Sequence, residues 1–373
     1  MSKNQISPKL TVSIPTWNRV EFLKENVLSI IEAIQKVPEG RVEIFISDNA
    51  STDETACFLQ DISHQYPFIR FISQAENMGA NANFYTVLKE ARGEYVWLLG
   101  DDDQIDADCM SRILADIDVH HPGVIIGGTA HDTTGERVYL KKITQPLLTD
   151  QSILLDYDGF ALAGKMSVLI FKKSALDPVL EAGWAQIQTT STPWPHLLWL
   201  FKLLACGHSL LVLPYATNYI VEKNRYNLLQ CGVVRIDLMF IEYTLMVQTV
   251  LSEFEPRIQA GILRCLVDGR VGELGKILAY ATFLNTYRET LRNAWLAMTT
   301  LPLWRNRWKF FACYILPASS PRWLRYGLLL TVGRLMPRWQ AYHDFIDYLQ
   351  NVKILKQSAG DRAVFNKAYL NKS

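Results

Sequence analysis

Between residues 10 and 127, five short apolar runs alternate with stretches of helical periodicity: Leu10–Ile14, Val42–Ile46, Ile69–Ile72, Tyr95–Leu99 and Val124–Ile126. This pattern restricts the fold more than any other feature of the chain. A strand that is apolar at successive positions needs cover on both faces, which a sheet open to water on one side cannot give. The intervening patterns Val20–Lys36, Asp53–Gln65, Asn81–Ala91 and Ala107–His120 supply that cover as crossover helices. The expectation is an α/β fold, a doubly wound and mainly parallel sheet, which binds ligands beyond the C-terminal ends of its strands. Polar clusters fall at those ends. Pro15-Thr16-Trp17-Asn18-Arg19 follows the first run, Ser47-Asp48-Asn49 the second and Gly100-Asp101-Asp102-Asp103 the fourth.

Further on the pattern loosens, with strand candidates at Ser167–Phe171 and Leu210–Leu213 and a helix over His196–Ala205. From about residue 233 long helical patterns dominate, punctuated by Pro256, Pro302, Pro317, Pro321 and Pro337. Two domains are expected: residues 1–230, carrying the sheet, and a mostly helical region over 231–373.

A formal charge of +1 over 373 residues gives no global attraction to nucleic acid. The first 120 residues are nevertheless acid-rich, whereas Arg288 to Arg338 holds nine Lys/Arg and only Glu289 as an acid. The six cysteines (57, 109, 206, 231, 265 and 313) form no CxxC pair, so scattered thiols of a reducing compartment are expected. The polar start, Met1 to Leu10, has no apolar secretory core, and no uninterrupted apolar run is long enough to span a bilayer. A cytoplasmic protein is expected.

Three adjacent carboxylates at a strand end repel one another and call for a compensating cation. Mg²⁺ or Mn²⁺ suits them, taking one or two carboxylates together with phosphate oxygens. The competing reading is a solvated acidic loop whose Asp106 or Asp108 caps the next helix. In the second cluster Ser51, Thr52 or Asp53 suffices as a helix cap, which leaves Asp48 at the strand end to accept a hydrogen bond from a base or sugar. The first cluster is either a rigid structural turn or a third wall of the same crevice.

Taken together, "SIPTWNR", "ISDNASTDET", "ENMGANANF" and "GEYVWLLGDDD", in this order over residues 13–103, resemble family 2 glycosyltransferases of the GT-A fold. The resemblance implies a nucleotide-sugar donor. Pro15 and Thr16 would line the base pocket, with Asn18 and Arg19 in the same donor loop, and Asp48 would contact the base. Asn77, Gly79 and Asn83 would form the floor under the ribose and diphosphate. Asp101 or Asp102 would face the ribose, and Asp103 would hold the metal. The "SDNASTD" wording, the Gly100–Asp103 loop and "STPWPHLLWLFKLL" are similar to the abequosyltransferase-type members of bacterial O-antigen synthesis. That likeness implies a CDP-linked dideoxyhexose donor and a mannose-containing, lipid-linked acceptor.

Many members place a Glu-Asp pair before the acceptor-side helix, where this chain reads Trp194-Pro195-His196. His196, with an ordinary pKa near ~6.5, is the candidate general base. Otherwise it packs beside Trp194 or touches the acceptor, and a retaining reaction assisted by the leaving phosphate needs no base. Lys165, Lys172, Lys223 and Arg225 are candidates for contact with the diphosphate.

Arg292 to Trp339 interleaves aromatics with cations, including Trp295, Trp304, Arg305, Arg307, Trp308, Trp323 and Arg325. This is the composition of interfacial helices on an anionic membrane, or of a helical domain packed on another protein surface. With a lipid-linked acceptor, a peripheral place on the inner face of the bacterial inner membrane follows. A nucleotidyltransferase would need a Gly-rich basic loop after the first strand, which is absent. An acidic crevice argues against a nucleic-acid binder. A membrane-surface scaffold with a degenerate transferase domain is the non-enzymatic rival.

Overall fold

The computed structural model describes residues 7–131, 137–138, 143–155, 165–190, 192, 194–220, 243–268 and Pro321. The chain divides into two compact units, Met1–Arg225 and Tyr226–Ser373. In the first, the elements run β1 (Leu10–Thr16), α1 (Val20–Ile34), β2 (Val42–Asp48), α2 (Thr55–Gln65), β3 (Ile69–Ser73), α3 (Ala80–Lys89), β4 (Tyr95–Leu98), β5 (Asp103–Gln104) and α4 (Cys109–His120). They continue with β6 (Val124–His131), β7 (Arg137–Val138), β8 (Leu147–Thr149), 3₁₀ turns at Gln151–Leu155 and Met166–Val168, and β9 (Leu169–Lys172). The unit's described part closes with α5 (Lys173–Thr190), α6 (Pro195–Ala205) and β10 (Leu210–Ile220).

All these strands join one sheet, ordered β3-β2-β1-β4-β9-β6-β10-β5, with β7 added to β6 and β8 to β10. β1 pairs in parallel with β2 and β4, β2 with β3, and β6 with β10. β9 is antiparallel to both β4 and β6, so those two strands point the same way. The sheet is thus mixed but mostly parallel, in an α/β architecture. From β1 the chain steps out to β2 and β3, then returns to β4 on the other side of β1. That reversal opens a crevice at the strands' C-terminal ends.

Burial follows the apolar runs. Every residue of β1 and of β4 is buried. The polar members of β1 are satisfied: Ser13 Oγ donates to Val87 O (3.0 Å), and Thr11 Oγ1 donates to Glu43 (2.7 Å) while accepting from Gly93 N (2.7 Å). α1 forms because Leu23, Val27, Ile30 and Ile31 recur at helical spacing and lie against the sheet.

Two elements depart from the sequence expectation. α5 is a full helix where none was expected, and Pro178 inside it disguises the pattern. β10 runs well beyond Leu213, through Pro214, with register shifts between Val212 and Ala216 and between Ala216 and Asn218. A bulge is where a strand tolerates proline.

In the second unit, α7 (Tyr243–Leu251) and α8 (Pro256–Asp268) bury Met246, Val247, Val250, Ile258, Ile262 and Leu263. Among the described residues no helix is long and apolar enough to cross a membrane. Lys223, Arg225 and the aromatic–cationic stretch 292–339 lie outside the described residues.

Candidate active site

Parallel register sets Thr16 beside Asp48 at the ends of β1 and β2. The two following loops are laced together. Asn18, in the left-handed region at φ 51°, donates its N–H to Ser51 Oγ (2.8 Å) and accepts Thr52 N–H on Oδ1 (2.7 Å). Asn49 N–H donates to Thr16 O (3.0 Å). Asp48 is buried, and its Oδ1 accepts Ser51 N–H (3.0 Å). Asp53 serves two helix entries at once, accepting Val20 N–H (3.1 Å) at the start of α1 and Thr55 N–H (3.1 Å) at the start of α2. Glu54 occupies the cap position of α2 without a side-chain cap bond.

The loop into α3 joins the same end. Asn77 Oδ1 accepts from Asn49 Nδ2 and from Gly79 N–H, both at 2.9 Å. Gly79 stands at φ 85° and ψ 160°, a conformation that a side chain would strain. Asn83 is buried and ties two strand ends, donating Nδ2 to Thr16 O (3.3 Å) and Ser47 O (3.0 Å).

The acidic triplet closes the constellation. Thr16 Oγ1 donates to Asp101 Oδ2 (2.8 Å). Arg19 reaches Asp101 at 3.0 Å and Asp102 at 2.6 Å, its guanidinium also lying over the Phe22 ring. The cation that the triplet calls for is therefore supplied, for Asp101 and Asp102, by the protein itself. Burial pushes the Asp101 carboxyl up to about 7, with Arg19 pulling the other way. Asp103 is pushed up to about 6, first by burial, with the Lys165 ammonium opposing; Asp102 raises it further, while Ser167 and Asn218 lower it. Two backbone clamps hold the loop: Asn26 Nδ2 donates to Gly100 O (3.0 Å) and to Asp103 O, and Gly100 N–H donates to Ser167 Oγ (3.0 Å).

Asn26, Ser167 and Asn218 escaped the sequence reading. Asn26 had a legible signal: it is a polar residue on the apolar stripe of α1, between Leu23 and Val27. Ser167 and Asn218 are far from the triplet in sequence, and only the sheet brings them to it.

Of the candidate lysines, Lys165 stands at this end, donating Nζ to Thr129 Oγ1 (3.0 Å). Lys172 does not. Because β9 runs antiparallel, its last residue pairs with Tyr95 at the opposite end of β4, so contact with a diphosphate in this crevice is ruled out. His196 is buried in the first turn of α6, its ring edge-on to Trp194 at 6.0 Å. Asn81 Nδ2 donates to Thr192 O (2.7 Å), which draws the entry of α6 towards that of α3. Pro15 is buried in β1, in register with Ser47.

A cavity of about 700 Å³ lies elsewhere, against the N-terminal ends of the strands, lined among others by Lys9, Arg41, Glu94 and Asp118. Those charges pair with one another, and none of the donor-site candidates lines it.

The donor set decides how a cation would fit. Among the described residues no three His, Cys, Asp or Glu side chains gather into an all-protein cage. Asp103 nevertheless suits the other mode, in which a hard ion takes one or two carboxylates and fills its remaining positions with phosphate oxygens and water. Unlike Asp101 and Asp102, it is not held by Arg19.

Residues 11–175 match the family model described as Glycosyl transferase family 2. Over 110 residues the chain is 34% identical to abequosyltransferase RfbV of Salmonella typhimurium, covering 29% of this chain and 32% of that protein. Over 108 residues it is 33% identical to the GalNAc(5)-diNAcBac-PP-undecaprenol beta-1,3-glucosyltransferase of Campylobacter jejuni, covering 29% and 34%. These matches thus span about a third of the length of the curated relatives. In fold, the chain is similar to S. aureus TarS 1–349 in complex with UDP, with a TM-score of 0.61 at 16% identity over 84% of this chain and 90% of that one. It is also similar to the mannosyltransferase PcManGT from Pyrobaculum calidifontis in complex with GDP-Man and Mn²⁺, with a TM-score of 0.54 at 16% identity over 93% and 86%. The sequence match to glycosyl transferase family 2 thus lies over residues 11–175, on a sheet whose unit is similar in fold to the GT-A glycosyltransferases.

Proposed function

We propose that this chain moves a sugar from a nucleoside-diphosphate donor to a hydroxyl of a lipid-linked glycan. The donor in this reading is a CDP-linked dideoxyhexose such as abequose, and the acceptor a mannose-containing oligosaccharide of bacterial O-antigen or lipopolysaccharide synthesis. One observation carries it: the Gly100–Asp103 loop is pinned against the end of β1 by Thr16 and Arg19, beside Asp48. The names of the relatives support the donor and the lipid-linked acceptor.

In this reading residues 1–230 are the catalytic domain. Pro15, Thr16 and Asp48 receive the base, with Asn18 and Arg19 fixing the loop that walls it. Asn77, Gly79 and Asn83 hold the floor beneath ribose and diphosphate. Arg19 holds Asp101 and Asp102 in place, with either carboxylate turned to the ribose. Asp103, with the donor's phosphates, would hold Mg²⁺ or Mn²⁺. A divalent ion so bound would neutralise charge on the departing nucleoside diphosphate. His196 takes the proton of the acceptor hydroxyl; in a retaining reaction the leaving phosphate takes that proton instead.

A ligand that binds only the folded state stabilises it by about 2.7 kcal/mol at a hundred times its Kd, a rise of roughly 5–10 °C in Tm. CDP with Mn²⁺ is expected to give such a rise, larger than UDP, GDP or TDP gives. If no nucleoside diphosphate moves the melting curve, the donor assignment fails.

Residues 231–373 are proposed to hold the enzyme on the inner face of the inner membrane, on the strength of the aromatic–cationic composition of 292–339. The full chain is expected to sediment with vesicles containing phosphatidylglycerol at low salt and to leave them at high salt. Equal recovery with neutral vesicles would remove this part of the proposal.

A further inference from the structure

Asn218 is a polar side chain for which the fold itself has no use. It is wholly buried in β10, yet neither Nδ2 nor Oδ1 has a hydrogen-bond partner. A buried amide left open at both ends destabilises a protein, and an apolar side chain of similar shape in its place is neutral or better. Its backbone, by contrast, is held. Asn218 O accepts from Thr129 Oγ1 (3.3 Å), and Thr129 Oγ1 accepts from Lys165 Nζ (3.0 Å). The next two residues of the strand, Tyr219 and Ile220, pair with Gln104 and Asp103 of β5.

This pairing brings the amide alongside the Asp103 carboxylate. Ile220 faces Asp103 across the ladder, so Asn218, two residues earlier on the same face, is the diagonal neighbour of Asp103, and neither of its amide atoms is bonded elsewhere. Ser167 Oγ, which accepts from Gly100 N–H, is a second neutral group at the same loop. A hydroxyl and an amide beside a carboxylate orient it without cancelling its charge, whereas an arginine in that place would occupy it. Groups that orient a metal-holding side chain are commonly worth about 10- to 100-fold in metal affinity.

We propose that Asn218 is a positioning residue for Asp103, its amide fixing the carboxylate in the orientation that a divalent cation on the donor's phosphates requires. The proposal rests on the reading of Asp103 as the cation-holding residue. It gives a reason for an unpartnered amide at a buried position. The rival is a spacer role at the bulge between Ala216 and Asn218.

The test is a thermal titration of the full chain with Mn²⁺, with CDP, UDP and GDP each held at a fixed concentration. The readout is the Mn²⁺ concentration that gives half of the metal-dependent rise in Tm. In Asn218→Leu the metal-free Tm is expected to hold or to rise by about 2–4 °C. The Mn²⁺ midpoint is expected to rise about tenfold. On an Asp103→Asn background the same leucine should cause no further change in midpoint. A midpoint within twofold of wild type in folded Asn218→Leu overturns the proposal, as does an equal shift on the Asp103→Asn background. Should the leucine variant not fold, Asn218→Ser is read by the same criterion. A wild-type chain with no Mn²⁺ response under any nucleotide overturns the cation reading of Asp103 and this inference together; a wild-type response that Asn218→Leu leaves intact overturns this inference alone.

Discussion

Asp103→Ala is expected to lower sugar transfer about 10³-fold or more while leaving the melting temperature close to that of the wild type. The size follows from what the residue is asked to do. Charge stabilisation at a leaving group contributes several kcal/mol to a transition state, and each 1.36 kcal/mol is about a factor of ten in rate. The fold should tolerate the change. Asp103 is held by backbone bonds, from Asn26 to its carbonyl and from its own N–H to Gly100 O, and these survive in alanine. Loss of the side chain also removes a carboxylate whose charged form burial disfavours. Initial rates with a donor sugar, alongside a thermal melt, decide the matter. Full turnover in a folded Asp103→Ala protein would sink the assignment.

The largest expected effect on stability lies one layer beneath. Trp97 is fully buried in β4, among the largest side chains so placed, and its Nε1 donates to Ser167 O (2.8 Å). Trp97→Ala should cost about 3–5 kcal/mol, the range for truncating a buried aromatic. It also withdraws support from Ser167, whose hydroxyl clamps Gly100. Trp97→Phe keeps much of the packing but leaves the Ser167 carbonyl without its donor, at a cost of about 1–3 kcal/mol. Urea unfolding monitored by circular dichroism separates the two variants. An alanine variant within 1 kcal/mol of wild type would show that the core under this loop is not what holds it.

Much of this was legible from residues alone, and for a physical reason. β1 to β4 are short runs rich in apolar residues separated by helical patterns, the signature of a sheet covered by crossover helices. Hence their ends, and the clusters carrying Thr16, Asp48 and Asp101, are legible in the sequence. The sense of β9 could not. The apolar run Leu169-Ile170-Phe171 looks the same in either direction, yet that direction decides that Lys165 stands at the crevice and Lys172 at the far end. Nor does spacing reveal that Arg19 would already neutralise two of the three acids, because that depends on the twist of the turn after β1. Ser167 and Asn218 became visible only once β9 and β10 were in place, since their partner lies in a two-residue strand that no periodicity marks.

The sheet order has one more consequence. β4 and β6 are not paired; the four residues of β9 are the seam that joins the β1–β4 half to the half built on β6 and β10. The acidic loop straddles that seam. Asp101 is fastened to Thr16 on one side, while Asp103 begins β5, which is stitched to β10 on the other. Any sliding of one half past the other is thereby converted into a change in the spacing of two carboxylates, so the loop gauges the alignment of the whole sheet.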